Sequence, residues 1–258
     1  MKRQEHLLNE AIENGTLSCF QIPWTSAEEP KTLETFRLTS VPKELLSLGK
    51  AVCWILRMEE FDVHSLIQIL DASELDRIAQ LKSIKERCER TVARIFLRLV
   101  LAHYSGLEPN EITLKYGPEG KPYICADFSF NCSHSNGLLV IVVSRAKEVG
   151  VDLEGSLISD NALLGISKRF FSGNEQALLQ GRLLEERAKM FQRMWTLKEA
   201  WLKSTGMGIT SVLETPDATV LTKAGETAQL EFVQYGSHKG FQFAYENATC
   251  TALCPVHL

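Results

Sequence analysis

Blocks of short apolar strands alternate with blocks of helix along this chain, and that order limits the folds open to it. The run Ala51–Arg57 (AVCWILR) is β-branched and aromatic enough for a first strand. Asp71-Ala72-Ser73-Glu74 then supplies a cap and a capping-box pattern ahead of a helical stretch, roughly Glu74–Ser105, that holds two helices. The second, near Arg90–Tyr104, carries Val92, Ile95, Phe96, Leu99, Val100 and His103 at helical spacing, so one of its faces is apolar. Gly106 stops it and Pro109 prevents its resumption. Strands are expected at Leu114–Tyr116, Lys121–Ile124, Phe128–Ser133, Leu138–Ser144 and Gly150–Leu153, with Gly117–Gly120 as a turn. Helices follow at Asn161–Phe171, Gly173–Leu184 and Glu185–Ser204. Strands return at Thr219–Leu221, Leu230–Tyr235, Phe241–Tyr245 and Thr249–Leu253.

Block order of this kind fits an α+β architecture better than a doubly wound sheet. A chain of 258 residues can bury a sizeable core. Residues 1–50, with a short helix at Glu5–Glu13 and then Pro23, Pro30 and Pro42, read as an N-terminal extension draped over that core. Residues 51–145 and 146–258 read as two halves.

The formal net charge of -4 argues against a general nucleic-acid binder. The first fifteen residues hold Glu5, Glu10 and Glu13 where a signal peptide needs an apolar stretch. The longest strongly apolar run, Leu138–Val143, is far below the roughly 20 residues that span a bilayer. Seven cysteines form no CxxC pair and no regular framework, which reads as reduced, mostly buried thiols. A cytoplasmic protein without membrane contact is the expectation.

Gly150-Val151-Asp152-Leu153-Glu154 continues an apolar strand pattern. Residues two apart on a strand face the same side, so Asp152 and Glu154 point together while Val151 and Leu153 pack. Two such carboxylates either face water or share a hard cation, Mg²⁺ or Mn²⁺. A third carboxylate converging from elsewhere decides for the cation. The helix around Trp195-Thr196-Leu197-Lys198-Glu199-Ala200-Trp201-Leu202-Lys203 aligns Trp195, Glu199 and Lys203 one turn apart. That pattern is either an ordinary surface Glu–Lys pair or a third metal ligand followed by a phosphate contact.

Taken together, these motifs resemble those of the 4′-phosphopantetheinyl transferase superfamily. The G-[VI]-D-x-E element is matched by residues 150–154, and W-[ST]-x-K-E-[AS]-x-x-K by Trp195, Thr196, Lys198, Glu199, Ala200 and Lys203. Between them, Arg169-Phe170-Phe171-Ser172 and Glu175 resemble the RFFS-x-x-E stretch. Upstream, Gly120-Lys121-Pro122 resembles G-K-P, Phe130–Ser135 resembles F-N-x-S-H-S, and Arg90-Thr91 resembles R-T. The length is similar to that of the larger, surfactin-type members, which implies a monomer. The fold so implied has two pseudo-twofold-related halves, each a small antiparallel sheet packed with helices, and an active site at their interface.

The resemblance implies transfer of the 4′-phosphopantetheine arm of coenzyme A to a serine of an apo acyl or peptidyl carrier protein, releasing adenosine 3′,5′-bisphosphate. It also implies roles. Asp152, Glu154 and Glu199 would hold Mg²⁺; Lys203 would neutralise pyrophosphate charge; Glu199 is the candidate base. Ser133 and His134, with Lys121 nearby, would contact the coenzyme A phosphates, and Arg90 and Thr91 the 3′-phosphate side. Arg77, Lys82, Lys85 and Arg87 are further candidates for that phosphate. The rival readings are a magnesium-dependent phosphohydrolase and an inactive carrier-binding homologue.

Overall fold

The computed structural model describes residues 17–21, 46, 51–58, 64–155, 158–208, 210–211, 215–219, 230–235, 238–245 and 248–255. Within them, strands β1 (Leu17–Gln21) and β2 (Ala51–Arg57) precede helices α1 (Ala72–Ala79) and α2 (Ile84–Ser105). Next come β3 (Lys115–Tyr116), β4 (Pro122–Tyr123), β5 (Ser129–Ser135), β6 (Leu138–Ser144) and β7 (Gly150–Glu154). Helices α3 (Asp160–Phe170), α4 (Gly173–Gln180) and α5 (Leu184–Thr205) follow, then β8 (Leu230–Tyr235), β9 (His238–Tyr245) and β10 (Ala248–Pro255). The expected α+β block order is therefore the observed one.

Some boundaries differ from expectation. The helix expected from Arg90 begins a turn and a half earlier, because Ser83 caps it by accepting the Glu86 N–H. The helix expected over Gly173–Leu184 closes at Gln180, where the Gly181 N–H bonds back to the Ala177 and Leu179 carbonyls, and α5 starts afresh. Thr219, expected to open a strand, belongs to a 3₁₀ turn; residues 220–221 lie outside the described residues, as does the short helix expected at Glu5–Glu13.

The strands form two four-stranded sheets, ordered β1-β2-β6-β5 and β7-β10-β9-β8. The second is antiparallel throughout; the first is antiparallel except where β1 runs parallel to β2, pairing Leu17 with Ala51. Part of the N-terminal 50 residues thus adds a strand to the first sheet. Asn136 and Gly137, at φ 49° and 76°, make the two-residue turn that joins β5 to β6, a backbone twist that asparagine and glycine adopt most readily.

Both faces of the first sheet are covered, which explains the unbroken apolar runs of β2 and β6. On one face Val52, Trp54, Leu139 and Ile141 pack under Ile95, Phe96, Leu99 and Val100 of α2. On the other, Cys53, Ile55, Val140 and Val142 meet Val151 and Leu153 of β7 and Cys250 of β10. A third core joins α3, α4 and α5 through Leu163, Leu179, Met194 and Leu197.

One polar residue holds the first helical layer together. Arg98, 1% exposed, donates to Glu74 at 2.8 Å, to Asp71 at 2.9 Å and to the Pro109 and Ile112 carbonyls at 2.9 Å each. Asp71 also completes the capping box of α1 with Glu74. Arg98→Ala takes the cationic donor from the buried Glu74 carboxylate, which keeps only the Asp71 N–H, and the guanidinium donor from two carbonyls, and should cost about 3–5 kcal/mol of stability. Urea denaturation measures this; a loss below about 1 kcal/mol, the ordinary range for a surface pair, contradicts it.

Candidate active site

The two-residue period of β7 buries Val151 and Leu153 in the core between the sheets and turns Asp152 and Glu154 the other way. They face a cleft of about 360 Å³. β5 contributes Ser133, His134 and Ser135 to its lining, and α5 contributes Glu199 and Lys203.

Helix α5 reaches this cleft because it lies very close on β7. A Cβ at position 150 would collide with the Ala200 carbonyl oxygen and come within 2.5 Å of the Ser204 nitrogen. Packing, not a turn, demands glycine there. Two polar pins fix the helix lengthwise. Gln192 donates to the Glu154 carbonyl at 2.7 Å and accepts from Thr249 at 3.1 Å. One turn on, the Thr196 and Thr251 hydroxyls meet at 2.9 Å. With those points set, the helical period carries Glu199 and Lys203 to the cleft.

Four charged groups therefore share a partly buried space. The Lys203 ammonium donates to Asp152 Oδ1 at 2.5 Å and to Ser133 Oγ at 3.1 Å, and Ser133 donates to the same Asp152 oxygen at 3.1 Å. Asp152 is 3% exposed, and its other oxygen, Oδ2, is buried without a hydrogen-bond partner. Burial, then the Asp152 charge, raises the Glu154 carboxyl from 4.5 to about 7; Glu199 adds to the shift, while Lys203 and a hydrogen bond from Trp195 oppose it. Glu199 is likewise raised, by burial first and Asp152 second. Burial works against the Lys203 ammonium, but Asp152 and Glu199 outweigh it and hold the group above its ordinary value.

Three carboxylates thus face one ammonium. Among the described residues, no three His, Cys, Asp or Glu side chains are already drawn into a metal cage. The donor set nevertheless suits a hard divalent cation. Asp152 Oδ2 is a buried acceptor lacking a donor, and the surplus negative charge presses Glu154 and Glu199 toward neutrality.

Other residues singled out from the sequence lie in different settings. Lys121 is not among the lining residues: its ammonium, lowered to about 8 by burial, donates to the Val149 carbonyl at 3.0 Å and the Ser204 carbonyl at 2.8 Å. It ties the start of β7 to the end of α5. Thr91 is buried, and its hydroxyl donates to the Arg87 carbonyl at 2.8 Å within α2. Arg77 stacks on Tyr116 at 4.6 Å, Arg87 donates to the Leu81 carbonyl at 2.8 Å, and Lys85 sits 3.8 Å from Glu89.

Arg90 is not among the lining residues either, but it and Arg94, which the motifs did not single out, act electrostatically on one that is. Burial raises the thiol of Cys132, which lines the cleft, while Arg94, Lys203 and Arg90 pull it down. Arg90 and Arg94 are four residues apart on α2, and that spacing was the available signal. Sequence reading also missed what the motif residues Lys198 and Glu175 do. They form a 3.0 Å ion pair buried to 3% and 0% side-chain exposure, completed by Thr215 and the Ala218 N–H. Trp195, stacked on Phe191 at 5.9 Å, presents its indole to Glu154.

Residues 148–254 match the family model of the 4′-phosphopantetheinyl transferase superfamily, and residues 53–147 match that of the 4′-phosphopantetheinyl transferase N-terminal region. The 4′-phosphopantetheinyl transferase HetI of a Nostoc strain is 35% identical over 164 residues, covering 62% of this chain and 69% of HetI. A 4′-phosphopantetheinyl transferase of Bacillus subtilis is 31% identical over 56% of this chain and 69% of its own. For 4′-phosphopantetheinyl transferase Sfp of Bacillus subtilis strain 168, the figures are 32%, 50% and 58%.

The electrostatics can be measured directly. Unfolded, Glu154 loses its proton near 4.5; folded, it holds it to about 7. Its contribution to stability is therefore fully present below pH 4.5 and lost as the pH rises through 7. In metal-free buffer, carbon-13 NMR of the Glu154 carboxyl should titrate near 7. Asp152→Asn should lower that midpoint and Lys203→Met raise it; a wild-type midpoint near 4.5 contradicts the shared-charge description.

Proposed function

The chain belongs to the 4′-phosphopantetheinyl transferase superfamily, and we propose that it carries out that family's reaction with Asp152, Glu154, Glu199 and Lys203 as its working residues. The reaction moves the 4′-phosphopantetheine arm of coenzyme A to a serine hydroxyl of an apo carrier protein. A bond forms between the serine oxygen and the β-phosphorus, and the bond to the bridging oxygen breaks. Adenosine 3′,5′-bisphosphate leaves. The single observation that carries the assignment of residues is the convergence of three carboxylates and one ammonium, from two distant motifs, in one cleft.

Asp152, Glu154 and Glu199 are the groups that would hold Mg²⁺, with Mn²⁺ as an equivalent hard ion. When bound, the ion supplies positive charge beside the pyrophosphate, where phosphoryl transfer builds up negative charge. The protein's own groups do the rest. An ammonium has three N–H donors; Lys203 uses two on Asp152 and Ser133 and keeps a third for a phosphate oxygen of the leaving group. Glu199 has two oxygens, so one can serve the cation while the other takes the serine proton. His134, on the cleft wall, and Arg90 with Arg94, beside Cys132, supply donors for the coenzyme A phosphates.

The cleft joins residues of 51–145 to residues of 146–258, which supports a reading of two related halves with the active site between them. The second half contributes a four-stranded sheet and the first half three strands, to which β1 adds a fourth, and helices pack against both. A monomer is the working state in this reading, because both halves of the site come from one chain. No helix among the described residues is long and apolar enough to cross a membrane. The reaction takes place in the cytoplasm, where coenzyme A and apo carrier proteins meet.

Mass spectrometry of an apo carrier protein incubated with the enzyme, coenzyme A and Mg²⁺ tests the reaction. The carrier should gain one phosphopantetheine mass; cleavage of coenzyme A with an unmodified carrier would mean a hydrolase instead. Glu199→Gln should lower the single-turnover rate by about 10²–10⁴-fold, the range for removal of a general base, while coenzyme A still binds. Lys203→Ala should lower that rate more than it weakens coenzyme A binding. A pure loss of coenzyme A affinity in either variant contradicts its assigned role.

A further inference from the structure

The F-N-x-S-H-S element does something besides facing the cleft. Among the described residues, β7 is the edge strand of its sheet, paired on one side with β10. Its other side is served by side chains of the neighbouring sheet. Asn131 Oδ1 accepts the Val151 N–H at 2.9 Å, Ser133 donates to Asp152, Ser135 Oγ accepts the Gly155 N–H at 3.0 Å, and Asn136 donates to the Gly155 carbonyl at 2.5 Å. Residues 131, 133 and 135 alternate along β5, so they lie on one side of it. They act as a polar zipper where, among the described residues, no backbone ladder joins the two sheets. Buried backbone N–H groups require a partner; here the partners come from another sheet and set where β7 lies against it.

Resting on the functional reading above, we propose that Asn131 is a positioning residue for the acidic cluster. It is 5% exposed, and its amide oxygen holds the backbone one residue before Asp152. Below β7 the apolar contacts of Val151 and Leu153 with Val140 and Val142 set the spacing between the layers, but apolar contact is non-directional and tolerates sliding along the strand. A hydrogen bond to a single N–H does not tolerate it. Asn131 therefore fixes β7 lengthwise on the first sheet, as Gln192 fixes α5 lengthwise on β7. The two amides together decide how Asp152 and Glu154 meet Glu199 and Lys203. Asn131 bonds to the backbone of Val151 and acts through the strand.

The test uses Asn131→Ala in the full-length chain, beside Leu179→Ala, a core variant in the α3–α5 layer away from the cleft. Four quantities are read: melting temperature, kcat and KM for coenzyme A with an apo carrier, Mn²⁺ affinity by electron paramagnetic resonance, and amide hydrogen exchange at Val151. Asn131→Ala should expose the Val151 amide to fast exchange, weaken Mn²⁺ binding about tenfold, and lower kcat with little change in KM. Leu179→Ala should lose stability while Mn²⁺ affinity stays unchanged. A folded Asn131→Ala with wild-type Mn²⁺ affinity and kcat overturns the proposal, however much its melting temperature falls. Should Asn131→Ala not fold, Asn131→Ser, with a shorter side chain that still offers an acceptor, is read the same way. The outcomes separate from those of the functional reading: a wild-type chain that modifies no carrier defeats that reading, whereas an active wild type with an equally active Asn131→Ala defeats this proposal alone.

Discussion

Mutual repulsion among three carboxylates in a half-buried cleft is the interaction around which the second half of the chain is arranged. Asp152 is buried, and Glu154 and Glu199 are pushed toward neutrality by burial and by Asp152 itself. One ammonium, Lys203, offsets part of that charge. Left to themselves, such groups would splay into solvent. They stay together because α5 is pressed against Gly150, pinned by Gln192 and Thr196, and tied to α4 by the buried Lys198–Glu175 pair. Stability and chemistry thus pull against each other here, and the packing resolves the conflict in favour of the chemistry.

The motif residues divide between two tasks. Asp152, Glu154, Glu199 and Lys203 carry charge into the cleft. Gly150, Lys198, Glu175, Trp195 and Lys121 keep those four where they are. Lys121 belongs with the second group: it holds two carbonyls, one at the approach to β7 and one at the end of α5. A buried ammonium satisfied by carbonyls serves as a cross-link between elements, and desolvation lowers its pKa to about 8.

Much of this was legible in the sequence, and the reasons differ by element. The strand runs β2 and β6 and the apolar face of α2 could be read because periodicity reports burial directly. The carboxylate pair on β7 could be read because a strand's period places residues 152 and 154 together. The aligned Glu199 and Lys203 could be read from helical spacing. What could not be read were contacts between distant segments. Nothing local marks Arg98 as the hub joining residues 71, 74, 109 and 112, since an arginine in a helix usually faces solvent. Nor does anything local say that Asn131 faces Val151 or that Glu175 lies under Lys198. The parallel pairing of β1 with β2 was hidden for the same reason, as the two strands are separated by some thirty residues of proline-containing chain.

The central claim is that Asp152, Glu154 and Glu199 close around a single divalent ion beside the coenzyme A pyrophosphate. A crystal structure of the chain grown with Mn²⁺ and coenzyme A, with data collected at the manganese absorption edge, addresses it most directly. One anomalous peak is expected, bonded to oxygens of all three carboxylates and to the pyrophosphate, with the Lys203 ammonium turned toward a phosphate oxygen. A peak that none of the three carboxylates touches, or coenzyme A seated away from β5 and β7, would contradict it.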